Sequence, residues 1–309
     1  MAITRRAFSR LALGSLGGLA MSQAEAAENL TGATDCHVHI IGPADKYPMV
    51  PNRPYTPPAA SVAQLKAMHA RLGITRTVLV QPSFYGTDNS CMLDALAELG
   101  NAARGVAVVA PSISEQALRD MDAKGVKGIR LNLESAGNRD PKAAAAMLAA
   151  YAKKVAPLNW HIQIYTVAPV IAQLTSAIAD LPVPVVIDHY GMPVASEGYS
   201  RGFAALVDLV HARKVYVKLS APYRISKEPD YKDVKGLAQS LIYNARDRML
   251  WGSDWPHTQN IPGHPANQVT PFSKIDDDAI LRQFKSWYTD PPTQKMILVD
   301  NPAKLYRFI

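Results

Sequence analysis

Two histidines one residue apart, His37 and His39, sit in the apolar run Asp35-Cys36-His37-Val38-His39-Ile40-Ile41. In an extended strand alternate side chains share a face, so both imidazoles are expected to point one way and Cys36 and Val38 the other. Two imidazoles on one face can chelate a metal or hand a proton on. Alone the pair is weak evidence, because a satisfied structural pair of histidines has the same spacing. The signal sharpens in two later apolar runs. One ends in Ile187-Asp188-His189, the other in Trp251-Gly252-Ser253-Asp254-Trp255-Pro256-His257. Three histidines and a carboxylate that met at one point could polarise a carbonyl and take a proton from water.

The elements must bring them there. After residue 32 the chain alternates short β-branched runs with helical patterns. Strands are expected at 33–41, 75–83, 104–111, 128–134, 160–167, 183–190, 215–221 and 248–255. Most are continuously apolar, as parallel strands covered on both faces are. Between them, Ser61 caps a helix that ends at Gly73, Ser114 opens another, and Asp140-Pro141 supplies a cap and an N1 proline. Further helices are expected at 89–99, 168–180, 202–213, 231–245 and 276–288, and a last one at 292–307 closes the chain. Strand and helix alternating eight times, with no break in composition, spells a single-domain α/β fold, a (β/α)8 TIM barrel over residues 27–309. A doubly wound sheet would need a Gly-rich phosphate loop after the first strand, where His37-Val38-His39 stands instead. A barrel sets its first and eighth strands side by side, with the sixth across the mouth. His37, His39, His189 and Asp254 then converge at the C-terminal face, where barrel active sites form. Long connections at 42–60, 191–201, 222–230 and 256–274 are expected to wall that face.

With those residues in hand, the chain resembles the amidohydrolase superfamily. The segments GTDN (86–89), RGVAVVAP (104–111), KGIRLNL (127–133), VIDHYGMP (186–193) and WGSDWPH (251–257) resemble its branch containing 2-pyrone-4,6-dicarboxylate lactonase, over about residues 33–309. The resemblance implies that Asp254 is the general base and that His37, His39 and His189 stabilise the developing oxyanion. It implies substrate contacts for Arg130, Arg224, Tyr55, Ser83, Thr87 and Tyr165, with His257 either a rim contact or structural. An arginine fork can meet both oxygens of a carboxylate. If Arg130 were structural it would need an acidic neighbour, such as Glu134. Many members of the superfamily carry a carbamylated lysine on strand 4 and a histidine on strand 5. Here strand 4 offers Arg130, strand 5 offers Gln163 and Tyr165, and His161 falls too early, toward the barrel floor. Two metals are therefore not expected. One divalent ion, zinc or manganese, on His37, His39 and Asp254, with His189 as ligand or catalyst, is one reading; metal-independent catalysis is the other. Tyr85 stands where the lactonase has a histidine, which sets the exact substrate apart.

The expected reaction is ring opening of a small carboxylated or sulfonated lactone by water. A lactone isomerase, a non-oxidative decarboxylase and a binding protein without catalysis are the rivals. No G-x-S-x-G elbow points to a serine hydrolase.

Composition sets outer bounds. The chain has 309 residues, 48% of them hydrophobic and 19% charged, which is ordinary globular composition. The formal charge is +7, and it falls to +5 without residues 1–26, which carry Arg5, Arg6, Arg10 and Glu25. That modest excess favours small anions, and its scatter speaks against a nucleic-acid partner. Cys36 and Cys91 lack metal-type spacing and are expected to be buried free thiols. Residues 1–26 resemble a twin-arginine signal peptide: Arg5-Arg6, a short apolar stretch, then Ala24-Glu25-Ala26 at a cleavage site. Passage through the twin-arginine translocase, a periplasmic location and no lasting membrane anchor are the expectations. The sequence is silent on oligomeric state.

Overall fold

Eight apolar runs become eight parallel strands whose hydrogen-bonded order follows the chain. They are β1 (Thr34–Val38), β2 (Arg76–Val80), β3 (Ala103–Ala107), β4 (Val126–Asn132), β5 (His161–Tyr165), β6 (Val185–Ile187), β7 (Val215–Ser220) and β8 (Met249–Gly252). The computed structural model describes residues 31–133 and 140–308, so the expected leader and Glu134 lie outside the described residues. The strands form a nearly closed barrel. Its seam is made just past β8, where Val38 bridges Trp255 in parallel. There Asp254 N donates to His37 O at 2.9 Å and His39 N donates to Trp255 O at 2.9 Å.

Helices fill the connections: α1 (Val62–Leu72), α2 (Ser90–Leu99), α3 (Glu115–Ala123), α4 (Pro141–Val155), α5 (Ala168–Ala179), α6 (Arg201–His211), α7 (Val234–Ala245) and α8 (Asp277–Trp287). The caps legible in sequence form. Ser61 and Gln64 make a reciprocal capping box, Gly73 ends α1 in the left-handed region, and Ser114 and Asp140 each accept a first-turn backbone N–H. The expected closing helix is broken into α9 (Pro291–Lys295), a π turn (Met296–Asp300) and α10 (Asn301–Tyr306). Among the described residues no helix is long and apolar enough to cross a membrane.

The strands are shorter than the apolar runs because the run ends leave the ladder to build the mouth. One difference is more instructive. Cys36 was expected on the strand face opposite the two histidines, yet it packs with Val78, Val106, Val186, Tyr216 and Leu250 from five other strands, and with Tyr306. The cause is a register shift in β1: Asp35 pairs with Thr77 but Val38 pairs with Leu79, so three steps on β1 match two on β2. Such a bulge reverses the alternation at one residue. Cys36 then joins the inner cluster, while Asp35 meets His69 of α1. Both cysteines are free and buried, as expected. His161 lies at the floor against Tyr306, ring centroids 5.2 Å apart. Gly128 leaves it room, since a Cβ there would come within 2.3 Å of the His161 ring.

Candidate active site

Asp254 follows β8 in the left-handed region, φ 66°, and His189 follows β6 at φ 49°. Tyr190, Met192, Ala221 and His257 share that backbone region at the same barrel end. Each such conformation costs a non-glycine residue on the order of 1–3 kcal/mol, a cost usually met at functional sites. For Asp254 and His189 it turns the side chain off the strand end into the mouth. Gly252 brings β8 against β1: a Cβ there would sit 2.8 Å from His37 Cβ and 2.9 Å from His37 N. The buried Asp35 carboxylate pins the same seam, accepting from His37 N at 3.1 Å, Ser253 N at 3.0 Å and the Ser253 hydroxyl at 2.5 Å.

The two oxygens of Asp254 are treated differently. Oδ2 accepts from Tyr223 Oη at 2.6 Å and from Arg224 Nε at 2.7 Å. Oδ1 has no hydrogen-bond partner among the described residues. It faces His37 Nε2 at 3.6 Å, His39 Nε2 at 3.9 Å and His189 Nε2 at 3.9 Å. Burial opposes its ionisation, but the Arg224 charge beside it overcomes that and holds its carboxyl well below the usual range. Burial is also the main reason the imidazoles stay neutral, His39 and His189 being pushed down to about 4 and His37 well below its ordinary value. Desolvation and the Asp254 charge push the Tyr223 phenol up, so it remains a donor.

Each imidazole has an anchor behind it. His39 Nδ1 lies 2.7 Å from Val80 O, which can only accept, so its Nε2 presents a lone pair. His189 Nδ1 meets Ser220 Oγ at 2.8 Å, a group that can donate or accept. His37 Nδ1 stands 3.3 Å from both Lys218 Nζ and Asp188 Oδ1. Donating to Asp188 frees a lone pair at its Nε2, whereas accepting from the lysine leaves an N–H there.

Lys218 and Asp188 were legible in the sequence but given no role. Lys218, on β7, is fully buried and also donates to Gln163 Oε1 at 2.7 Å. Asp188 Oδ2 accepts from Gln163 Nε2 at 3.0 Å and Arg130 Nε at 3.2 Å. Asp188 is thus a described acidic partner of Arg130. Tyr223 and Asp35 were missed as well. The signal for Lys218 was available, since a lysine in the middle of V-Y-V-K-L-S needs a buried partner.

A polar cavity of about 270 Å³ opens over this floor, lined by His39, Tyr55, Ser83, Arg130, Tyr165, His189, Arg224 and Asp254 among others. Tyr55 Oη donates to Thr258 Oγ1 at 3.1 Å, and Arg224 Nη2 donates to Thr258 O at 2.8 Å. The Tyr165 ring meets His189 edge-on at 5.4 Å and lies 5.2 Å from the Arg130 guanidinium. Thr87, expected as a binder, and His257, expected at the rim or in a structural place, both lie off that wall. Thr87 is exposed on a turn and absent from the cavity wall, because Gly86 at φ 55° turns the chain outward. His257 is buried behind the wall between Asp277, 3.1 Å from its Nε2, and Tyr223, 3.2 Å from its Nδ1. His69 of α1 is buried on Asp35 at 3.3 Å. Tyr85 is also outside the wall: it packs on Phe84 and accepts from Gly42 N at 3.2 Å.

The ligand atoms of His37, His189 and Asp254 all lie within 4.8 Å of one another. Two of them, His37 Nε2 and Asp254 Oδ1, are buried without a hydrogen-bond partner. Each Nδ1 has a polar group behind it, Val80 O for His39, Ser220 Oγ for His189, and Lys218 Nζ with Asp188 Oδ1 for His37, as metal-binding imidazoles commonly do. These residues fit one divalent ion. The tight group contains His189, with His39 just beyond it rather than in it.

Comparison with known proteins agrees with the geometry. Residues 34–308 match the family described as amidohydrolase. The chain is 37% identical over 290 residues to a 2-pyrone-4,6-dicarboxylate hydrolase of Comamonas testosteroni, covering 89% of this chain and 90% of the relative. It is 31% identical over 287 residues to a 4-sulfomuconolactone hydrolase of Hydrogenophaga intermedia, covering 89% and 88%. Among solved structures, a probable 2-pyrone-4,6-dicarboxylic acid hydrolase from Acinetobacter baumannii with citric acid bound superposes with a TM-score of 0.73 at 26% identity, covering 90% of this chain and all (100%) of that one.

Proposed function

The chain belongs to the amidohydrolase family, and on that premise we propose that it is a hydrolase that opens a small lactone bearing a carboxylate or sulfonate. The observation that carries this reading is the split use of Asp254. One oxygen is locked by Tyr223 and Arg224, and the other faces three imidazoles at the floor of a cavity walled by Arg130 and Arg224. The lactone acids named for two relatives, and the citrate bound by a third, have the anionic chemistry those arginines would recognise.

In this mechanism Arg130 and Arg224 bind the anionic group and orient the ring, which supplies proximity rather than chemistry. Asp254 Oδ1 takes a proton from water as the water oxygen bonds to the lactone carbonyl carbon. N–H donors at Nε2 of His37 and His189 meet the oxyanion in the metal-free form, while His39, whose Nε2 holds a lone pair, accepts from the water. The C–O bond of the ring then breaks, and the leaving oxygen recovers its proton from Asp254. A divalent ion held by His37, His189 and Asp254, with His39 adjacent, would supply Lewis-acid polarisation of the carbonyl.

Proton release from purified protein with carboxylated and sulfonated lactones, followed by NMR of the product, tests the reading. A ring-opened acid is expected. A migrated ring or loss of CO2 would replace hydrolysis with isomerisation or decarboxylation.

We also propose that the protein is exported through the twin-arginine translocase and cleaved after Ala26. Arg5-Arg6 and Ala24-Glu25-Ala26 support this. Sequencing the native N-terminus should read from Ala27, and an intact Met1 or Ala2 on the active protein would refute it.

A further inference from the structure

Beyond Arg130 the polar cavity does not end. A second chamber of about 370 Å³ adjoins it, and Pro54, Ser83, Arg130 and Asn132 line both. The chemistry changes across that boundary. The far wall is built from Val108, Val109, Leu131, Leu133, Met147 and Tyr151. Tyr151 spends its hydroxyl on Val109 O at 2.7 Å, leaving its ring to the chamber. Two of the polar side chains there are turned to the protein itself, while Gln81 Oε1 is buried with no partner among the described residues. Gln81 Nε2 donates to Asp88 O at 2.7 Å, and Arg53 donates to Val50 O at 3.0 Å and Thr56 Oγ1 at 2.6 Å. Along the apolar far wall water finds few of the two to four partners it needs, so it is readily displaced there by an apolar group.

We propose that this chamber is a second compartment of the same binding site, and that it receives an alkyl or aryl substituent of an anionic lactone whose acidic group lies at Arg130. The proposal rests on the hydrolase reading for the lactone itself and on the chamber's own lining for the substituent. A compact lactone acid is matched by the polar compartment, of about 270 Å³, and would leave the apolar one with nothing suited to it. Together the two make a site of ordinary small-molecule size, which is commonly about 300–1,000 Å³ and mostly apolar with a few placed polar groups. The substrate class this selects is amphiphilic: a ring acid with a hydrophobic arm.

Binding can be read apart from turnover. The probes are benzoate and its 4-ethyl and 4-butyl derivatives, titrated by calorimetry into the full chain. Each methylene that enters an apolar wall tightens binding by about fourfold, so Kd should fall by about that factor per added methylene. Met147→Trp on α4, and separately Val109→Phe after β3, fill the chamber from two sides and should flatten the series. The proposal is overturned by a Kd independent of chain length, by no binding of any member, or by an unchanged slope in either folded variant. Lactone hydrolysis is assayed in parallel. Hydrolysis with a flat series removes the chamber's role alone, whereas a steep, Met147-sensitive series without hydrolysis removes the enzymatic reading and keeps the chamber.

Discussion

Asp254 is a buried carboxylate whose two oxygens are held differently. Its Oδ2 is satisfied twice, which fixes the group, and its Oδ1 is left bare toward the imidazoles. The sequence made Asp254, His37, His39 and His189 legible because their types and their places at run ends are unusual. It hid what supports them. Lys218, Asp188 and Gln163 form the layer beneath His37, and their links cross from β7 to β5 and to the end of β6, so no spacing along the chain reveals them. The Lys218 ammonium costs desolvation that only Asp188, Gln163 and His37 offset. Removing it in Lys218→Met leaves the Asp188 charge short of a partner, and breaking a buried pair this way typically costs about 3–5 kcal/mol. The expected outcome is a large drop in the urea midpoint of Lys218→Met, checked by denaturant unfolding. Unchanged stability would mean the lysine is neutral in the folded protein.

At the scale of elements, alternation and caps predicted all eight strands and the helices around them, since each rests on local rules. Alternation failed at Cys36 because the β1 bulge is set by pairing with β2, a partner absent from the local pattern. Thr87 lies off the cavity wall, and His257 takes the structural of its two expected places, for a related reason. Motif matching gives a residue's place along a loop, but the backbone turns at Gly86 and His257 decide which way it faces. The β1–β8 seam is the element-level device on which the site depends. Gly252→Ala would push a methyl against His37, and overpacking of this kind typically costs about 1–3 kcal/mol. A lowered Tm by calorimetry is expected, together with a loss of kcat larger than the stability loss explains. Wild-type Tm and kcat would show that the seam can relax without moving His37.

Across the whole molecule, the site is a buried electrostatic assembly that acid should dismantle. His37, His39, His161 and His189 are all held neutral chiefly by burial, two of them with pKa values pushed down to about 4 and His161 to about 3. Unfolded histidine takes its proton near 6.5. Between that value and about 4 the unfolded chain therefore binds protons that the folded chain refuses, and stability falls as pH falls. The depressed carboxyls of Asp188 and Asp254 act in the same direction at lower pH, since the unfolded chain protonates first. For chelator-treated protein, the urea midpoint should be lower at pH 5 than at pH 7.5; equal midpoints would contradict neutral burial of the imidazoles. The cavity wall sets Arg130 and Arg224 against Asp254, an excess of one positive charge, which suits an anionic substrate. The central claim remains that Asp254 moves the proton, and the most direct measurement is kcat of Asp254→Asn on a hydrolysed lactone, with zinc or manganese in excess and the fold checked by circular dichroism. The substitution keeps the shape and removes the basic oxygen. General-base catalysis contributes about 10²–10⁴-fold, so kcat should fall by at least 100-fold, about the lower end of that range, and added metal should not restore it. A kcat close to that of the wild type, in a folded variant, would contradict the account.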